Sequence, residues 1–348
     1  MTLIPKKGLA AQREKELEEK LEAYRSSLSE EQLDAMVEKT KALEAYQEAG
    51  EDPKALECIP MLKRSDIKRE AAKIINEELT VDDSLFLYHD VCTNGIGYVD
   101  LMFKTDSIAP EQIPYLGLLK SVLGYVDTEN YTYGELFNEI NANTGGINCG
   151  VEVFDRADST EEFQAMFSVR GKALYTKMDF LFKMIGEILN SSKLEDTKRL
   201  YEIVASVKSR AQVNLTGAGH STAVLRAAAY SSPMAAFQDE MAGIGYYQFI
   251  EKLEKDFEQR KEETVEELCK LMKKILRPEN FMISYTGERE SLETVQKLAG
   301  AVKAGLGTEP VEKSKEKLTC TKKNEGFKTS GQVQYVAQTG NFKKKGLE

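Results

Sequence analysis

The sequence predicts an α+β fold, in which a largely antiparallel sheet carries helices on one face and follows an antiparallel helical hairpin. Charged side chains make up 32 of the first 80 residues but only 72 of the remaining 268, which indicates a solvated helical element before a compact domain. Strand-like and helix-like segments then follow in the order β-β-α-α-β-β-α-α-α-α-β-α. Asn94-Gly95, between two apolar runs, is a strong signal for a β-hairpin. We therefore expect a connector over 1–80, an α+β domain over 81–306, a polar linker over 307–330, and the first strand of a truncated further domain within 331–348.

The predicted helical hairpin depends on two apolar stripes with helical spacing. Ser29 and Gln32 have the spacing of a capping box that opens the second helix, and Gly50 and Pro53 end it. Two short amphipathic helices joined at one cap residue favour a hairpin over a long coiled coil. A further connector follows, with Ser65 as its expected N-cap. The stripes consist of Leu17, Leu21, Tyr24 and Leu28 in the first helix, and of Leu33, Met36, Val37, Thr40, Leu43 and Tyr46 in the second.

The elements of the α+β domain follow from runs that either alternate with period two or recur with helical period. The predicted strands cover Phe86–Val91, Ile96–Lys104, Ile147–Phe154, Phe163–Ala173 and Phe281–Thr286. The predicted helices cover Glu111–Leu123, Tyr133–Asn143, Phe180–Leu189, Glu195–Leu215, a segment ending at Tyr230, Tyr246–Leu276 and Leu292–Leu306. The helix before Arg277 is expected to run without a break.

The end of the chain has a different pattern from the domain before it. Residues 307–330 are polar and lysine-rich and have no periodicity, which indicates a linker. Gln332–Gln338 then alternates like a strand, and a lone strand needs a sheet supplied by another domain. We therefore expect the chain to be an internal segment of a longer protein.

Composition argues against several classes of function. The net charge of −10 does not suit nucleic-acid binding, which normally uses a basic excess. No apolar run approaches the ~18 residues of a membrane span, and the first residues lack the apolar core of a signal peptide. Five scattered cysteines without a C-x-x-C pair predict reduced thiols and a cytoplasmic protein. We expect neither nucleic acid nor a membrane among the partners.

The motifs do not add up to a self-contained active site. His89 and His220 lie far apart in the sequence and fit neither H-E-x-x-H nor H-x-x-E-H. A dyad of Cys149 with either histidine would need a proximity that the sequence does not supply. Gly217-x-Gly219 lacks the third glycine of a dinucleotide-binding turn and follows a helix. The sequence therefore predicts no catalytic, cofactor-binding or metal-binding residue in this chain.

Several stretches are specific enough to suggest a family. They are Ile4–Leu9, Ile59–Leu62 and Asp66-Ile67 in the first part, then Tyr98–Phe103, Tyr133–Leu136, Asn143–Gly146, and Ser231–Met234 running to Gly243–Tyr246. Together they resemble the presequence-protease branch of the pitrilysin/insulinase zinc metallopeptidases. The first part resembles the connector of those enzymes, and residues 84–306 resemble their third domain.

The resemblance implies four homologous α+β domains in two halves that close over a chamber for peptides. It also implies that zinc sits in a first domain, which this chain lacks, on an H-x-x-E-H helix with a distal glutamate. In this chain the equivalent helix, about residues 113–123, carries Leu116, Leu119 and Lys120 at the histidine and glutamate positions. Leucine and lysine there cannot ligate Zn²⁺ or act as a carboxylate base, so this domain is expected to be noncatalytic. The family's substrate-holding arginine and tyrosine belong to a fourth domain, of which only the strand near Val333–Ala337 is present.

Two functions from different classes follow from these expectations. The leading hypothesis is a fragment of a cytoplasmic zinc peptidase that degrades short unstructured peptides, with the missing N-terminal catalytic half of the same polypeptide as its partner. This part would form the hinge and part of the noncatalytic half, and it would be inactive alone. The alternative is a noncatalytic scaffold of the same fold, in which the hairpin binds a partner helix. An independent hydrolase with an unseen Cys/His site is a third possibility.

Overall fold

The computed structural model describes residues 6–71, 73–156, 158–159, 161–314, 318–329, 333–341 and 346. The chain divides into two compact units, Met1–Lys73 and Ile74–Glu348. The first unit contains the helices α1 (Leu9–Ser27), α2 (Glu30–Glu48) and α3 (Pro53–Leu56).

The junction between α1 and α2 has the predicted capping box. The Gln32 amide donates to Ser29 Oγ at 3.3 Å, and the Ser29 amide donates to Gln32 Oε1 at 2.9 Å. The apolar stripes of both helices stay largely exposed, with Leu21 58% and Tyr46 80% exposed. The expected N-cap at Ser65 is wrong, because this residue lies inside a single 3-10 turn, Arg64–Asp66, and the described residues 67–71 and 73–76 after it contain no helix.

The second unit is built on one six-stranded sheet. Its strands lie in the order β1-β2-β6-β3-β5-β4, and every pair is antiparallel except β2 with β6. The predicted α+β class with a largely antiparallel sheet is therefore confirmed. The strands are β1 (Glu77–Val81), β2 (Ser84–Asp90), β3 (Ile96–Lys104), β4 (Ile147–Asp155), β5 (Phe163–Leu174) and β6 (Phe281–Gly287).

The helices of this unit follow the strands in an α+β arrangement. They are α4 (Ile113–Val122), α5 (Tyr133–Asn143), α6 (Met178–Ser191), α7 (Thr197–Gly217), α8 (Gly219–Ala229), α9 (Pro233–Ala242), α10 (Ile244–Lys255), α11 (Phe257–Ile275) and α12 (Leu292–Ala304). Alternation along the strands buries one set of side chains, such as Leu101 and Phe167, against these helices. Helix α6 packs on β5 and α12 packs on β6.

The hairpin predicted at Asn94-Gly95 is wrong in its pairing, although the turn itself forms. Both residues have positive φ, 54° and 81°, as a tight turn of this kind requires. Strand β6 nevertheless lies between β2 and β3, so the two flanking strands do not pair with each other. A dipeptide specifies the local reversal of the chain, but the third strand that enters between the arms comes from almost 200 residues later.

A different hairpin joins β1 to β2 at the start of the sheet. Its two-residue turn is Asp82-Asp83, with φ of 46° and 64°. Because this turn lacks glycine, it gives little signal in the sequence, and β1 is missing from the predicted strands. Strand β1 straddles the expected domain boundary at 80/81 and belongs to the sheet.

The helices differ from the prediction in two places. The continuous helix expected over Tyr246–Leu276 is wrong, because Asp256 leaves helical geometry at φ −101° and ψ 19° and separates α10 from α11. Helix α9 is missing from the predicted helices. It begins with Ser232 as N-cap, whose Oγ accepts a hydrogen bond from the Ala235 amide, and with Pro233 in its first turn.

Hydrogen bonds join the start of the predicted linker to the rest of the second unit. The amide of Ser314 donates to the carbonyl of Ser107, and Arg277 Nη1 donates to the carbonyl of Glu309. The strand expected over 332–338 is absent from its described residues, 333–338, while 331–332 lie outside the described part. Within the described ranges, no helix has both the length and the apolar character that crossing a bilayer requires.

Candidate functional site

Helix α4 covers the positions that the sequence aligned with a metal-binding helix. Eight of its ten residues are buried. A Cβ atom added at Gly117 would lie 2.5 Å from the carbonyl oxygen of Met241, so α9 packs directly on the backbone of α4. Leu116 and Leu119 are 0% and 1% exposed and belong to the main hydrophobic core. At these two positions the chain therefore uses apolar packing, and the residues present do not fit a zinc site.

The two histidines have other surroundings. The ring nitrogens of His89 lie 2.7 Å from the carbonyl oxygen of Ile75 and 3.1 Å from Ser284 Oγ, so both are engaged. The ring of His220 lies 6.2 Å from the ring of Tyr335. No group of three or more histidine, cysteine, aspartate or glutamate side chains that could hold a metal ion occurs within the described ranges.

Lys120, the third aligned residue, faces a cavity of about 330 Å³ at the start of β4. We call this the β4 cavity. Its walls come from the end of α4, from α5, α6 and α7, and from β4. Its main side chains are Lys120, Phe137, Ile140, Asn141, Asn148, Cys149, Ile188 and Arg210. The cavity thus combines two cationic side chains, Lys120 and Arg210, and two amide side chains, Asn141 and Asn148, with apolar side chains.

The electrostatics of the β4 cavity are positive. Burial lowers the pKa of Lys120, and the negative charge of Glu152 opposes that shift. Glu152 is itself bound to Arg170, whose Nη1 lies 3.1 Å from Glu152 Oε1. Among the residues that the structure describes, neither Lys120 nor Arg210 forms an ion pair with a carboxylate. The cavity can therefore accept an anion more readily than a cation.

Cys149 in the same cavity does not have the surroundings of a nucleophile. Burial raises the pKa of its thiol to about 12, so the thiol is protonated at neutral pH. Neither histidine lines the cavity. The dyad of Cys149 with His89 or His220 that the sequence left open is not assembled.

The structure contains a second polar cluster that the sequence did not predict. We call it the Arg226 clasp, made of Arg226, Tyr230, Asp239 and Glu325. Arg226 Nη1 donates to Asp239 Oδ2 at 2.5 Å, and Arg226 Nε and Nη2 donate to the two oxygens of Glu325 at 2.8 and 2.9 Å. The Tyr230 hydroxyl donates to Glu325 Oε2 at 2.8 Å. The clasp fastens the C-terminal segment to α8 and α9.

Burial makes the clasp different from a surface ion pair. Arg226 is 9% exposed and Asp239 is 1% exposed. The Asp239 carboxylate also accepts hydrogen bonds from the amides of Ile244 and Gly245 at the start of α10. Hydrogen bonds to Glu325 raise the pKa of Arg226, and Arg226 holds the pKa of Glu325 below its usual value. The clasp is structural, because its charges are satisfied by one another.

Comparison with known proteins identifies the family. A family described as associated with peptidase M16, subfamily C, matches residues 3–253 of the chain. The chain belongs to this peptidase-associated family. The resemblance to presequence proteases inferred from the sequence is therefore confirmed.

Two relatives of this chain are similar over almost its full length. Protein HypA of Clostridium perfringens is 35% identical over 348 residues, which is 100% of this chain and 36% of that protein. Presequence protease 1, chloroplastic/mitochondrial, of Arabidopsis thaliana is 28% identical over 341 residues, which is 96% of this chain and 31% of that protein. The chain thus spans about a third of the length of these relatives.

Among solved structures, the chain is similar to a peptidase M16 inactive domain from Pseudomonas fluorescens. The TM-score is 0.45 at 14% sequence identity, and the match covers 69% of this chain and 53% of that one.

Proposed function

We propose that this chain is the hinge and part of the noncatalytic half of a zinc-dependent peptidase that degrades short unstructured peptides. The proposal rests on one combined observation. The chain belongs to a peptidase-associated family, but α4, its helix at the aligned metal-binding position, is apolar and buried. The chain matches the Arabidopsis thaliana presequence protease over 96% of its own length, yet Leu116 and Leu119 are core residues. Zinc would be held by an N-terminal half of the same polypeptide, and the present chain would help to enclose the peptide.

The role of hinge is supported by the first unit. Helices α1 and α2 carry apolar side chains that are half exposed or more, including Leu17, Tyr24 and Leu43. Such stripes are normally buried against another surface. In the proposed protein, other parts of the same polypeptide would cover them.

The proposed partners are the N-terminal half and peptide substrates, and neither nucleic acid nor a membrane is included. The acidic balance of 57 carboxylates against 47 basic side chains supports the exclusion of nucleic acid. We place the protein in the cytoplasm because no disulfide joins any of its five cysteines in the described part of the chain.

A noncatalytic scaffold of the same fold is the second candidate. The exposed stripes of α1 and α2 favour it, since they would equally suit a helix from another protein. The two functions differ in what an N-terminal half gains from this chain. Only the peptidase function predicts a gain in peptide hydrolysis.

A complementation assay tests the proposal. The proposed N-terminal half is assayed on a short unstructured peptide alone, then with an equimolar amount of this chain. We expect the mixture to hydrolyse the peptide faster by about 100-fold, because closing the chamber positions the substrate. This chain alone should show no turnover. Turnover by this chain alone, or equal activity of the N-terminal half without it, would contradict the proposal.

A further inference from the structure

Strand β4 is an edge strand that nothing in the sheet covers. It ends the order β1-β2-β6-β3-β5-β4 and pairs on one side only, with β5. Over its nine described residues, Ile147–Asp155, no backbone hydrogen bond to an element other than β5 occurs. Every second residue of such an edge turns its N–H and C=O groups outward, where an extended chain can pair with them.

The two ends of β4 carry opposite charges. The β4 cavity, with Lys120 and Arg210, lies at the start of the strand. A second cavity, of about 390 Å³, lies at its end and is lined by the carboxylates of Asp155, Glu161 and Glu162. Arg156 pairs with Glu162 there, with Nη1 3.5 Å from its carboxylate, so this end keeps a smaller excess of negative charge than three carboxylates would give. A peptide has a positive amino end and a negative carboxyl end. The charges therefore favour a peptide that runs antiparallel to β4, with its carboxyl end at Lys120.

The positive end has the features of a carboxylate site. Lys120 is half-buried and Arg210 is exposed, so one cation is fixed by packing while the other can adjust. The amides of Asn141 and Asn148 add donors beside them. Within the described part of the chain, both cations lack a carboxylate partner. Glu152, whose charge acts on Lys120, is bound to Arg170. A partly desolvated lysine that forms no direct ion pair gains more from an incoming anion than a surface lysine does.

The apolar wall of the β4 cavity adds a preference for the last side chain of the ligand. Ile140 and Ile188 line the cavity but are only 8% and 1% exposed, so most of the apolar surface open to a ligand belongs to Phe137, which is 58% exposed. An aliphatic or aromatic side chain would bury apolar surface there, whereas an acidic one would lose hydration.

We propose that the β4 edge binds an extended peptide antiparallel to β4, with its free C-terminal carboxylate held between Lys120 and Arg210 and an apolar last side chain against Phe137. This site deepens the proposed function and rests on it for the choice of a peptide as ligand, since each peptide-bond hydrolysis creates a new C-terminal carboxylate. At about 3.4 Å per residue, a peptide of roughly eight residues would run along the strand.

Fluorescence anisotropy of the full 348-residue chain with a labelled unstructured nonapeptide ending in leucine tests the site. We expect the free acid to bind at least about tenfold more tightly than the same peptide with a C-terminal amide, because a charge-assisted contact is lost. A peptide with N-methyl groups at alternate backbone positions should also lose about tenfold, since the ladder with β4 cannot form. Equal affinity of acid and amide, or of methylated and unmethylated peptide, would overturn the proposal.

A pair of lysine variants completes the experiment. Lys120→Met should weaken binding of the free acid by about tenfold and leave binding of the amide unchanged. Lys198→Met, at an exposed position of α7, makes the same change of net charge and should alter neither. Urea unfolding of both variants shows that they fold. Equal effects of the two variants would indicate general charge attraction and would refute the site. Because no hydrolysis is measured, failure here is distinct from failure of the complementation assay.

Discussion

Replacing Arg226 with methionine is expected to lower the free energy of unfolding of the second unit by about 3 to 5 kcal/mol. Arg226 forms ion pairs with Asp239 and Glu325, and Asp239 is 1% exposed. Without the guanidinium, a carboxylate stays buried without its positive partner, and that penalty exceeds the loss of any single hydrogen bond. Urea unfolding followed by circular dichroism measures the difference.

The matched control is Arg156→Met. Arg156 pairs with Asp158 and Glu162, but its side chain is 56% exposed. Exposed pairs of this kind contribute about 0.2 to 1 kcal/mol, so we expect a correspondingly small change. Equal effects of the two substitutions would show that the Arg226 clasp is no more than a surface contact.

The clasp also gives a pH dependence with a definite sign. Arg226 holds the pKa of Glu325 below its ordinary value of 4.5, so the folded state favours the ionised carboxylate. The resulting stabilisation is fully present above that value and is lost as the pH falls through the depressed pKa. In Glu325→Gln this part of the acid sensitivity should disappear, which urea unfolding at a series of pH values below about 5 would detect.

Leu116→Ala is expected to cost about 2 to 5 kcal/mol of unfolding free energy, as removal of a fully buried leucine usually does. Leu116 is 0% exposed, and it lies next to Gly117, where α9 approaches α4 too closely for the helix to shift and fill the space. Leu119→Ala should have a similar effect. These losses would show that the residues at the aligned metal positions now serve the core.

Leu174→Ala serves as the control, since this leucine is 56% exposed in the same unit. It should change the free energy of unfolding by no more than about 0.5 kcal/mol. If Leu116→Ala were as mild as Leu174→Ala, α4 would not be a closely packed helix.

The predictable parts of the fold are the elements that are determined by residues close together in the sequence. The period of apolar residues located five of the six strands, and the capping box at Ser29 located the start of α2. The pairing of strands could not be predicted where residues distant in the sequence determine it. Asn94-Gly95 forms its turn, but β6 enters between the flanking strands, and no short-range pattern encodes that insertion.

The candidate site also has a part that the sequence predicts and a part that it does not. Placing Leu116, Leu119 and Lys120 at the aligned positions needed only the sequence, and the burial of both leucines agrees with a helix that has become part of the core. The β4 cavity and the Arg226 clasp could not be predicted. Lys120 and Arg210, which line the same cavity, are 90 residues apart in the sequence, and the hydrogen-bonded Arg226 and Glu325 are 99 residues apart. Charged residues on amphipathic helices usually face solvent, so single positions carried no signal.

The zinc content of the purified chain tests most directly the claim that this domain of a peptidase family has lost its metal site. The chain is dialysed against zinc, passed over a desalting column, and measured by plasma mass spectrometry. We expect far less than one zinc ion per chain, because Leu116, Leu119 and Lys120 offer no ligands. One tightly held zinc ion per chain, released by a chelator, would contradict the account.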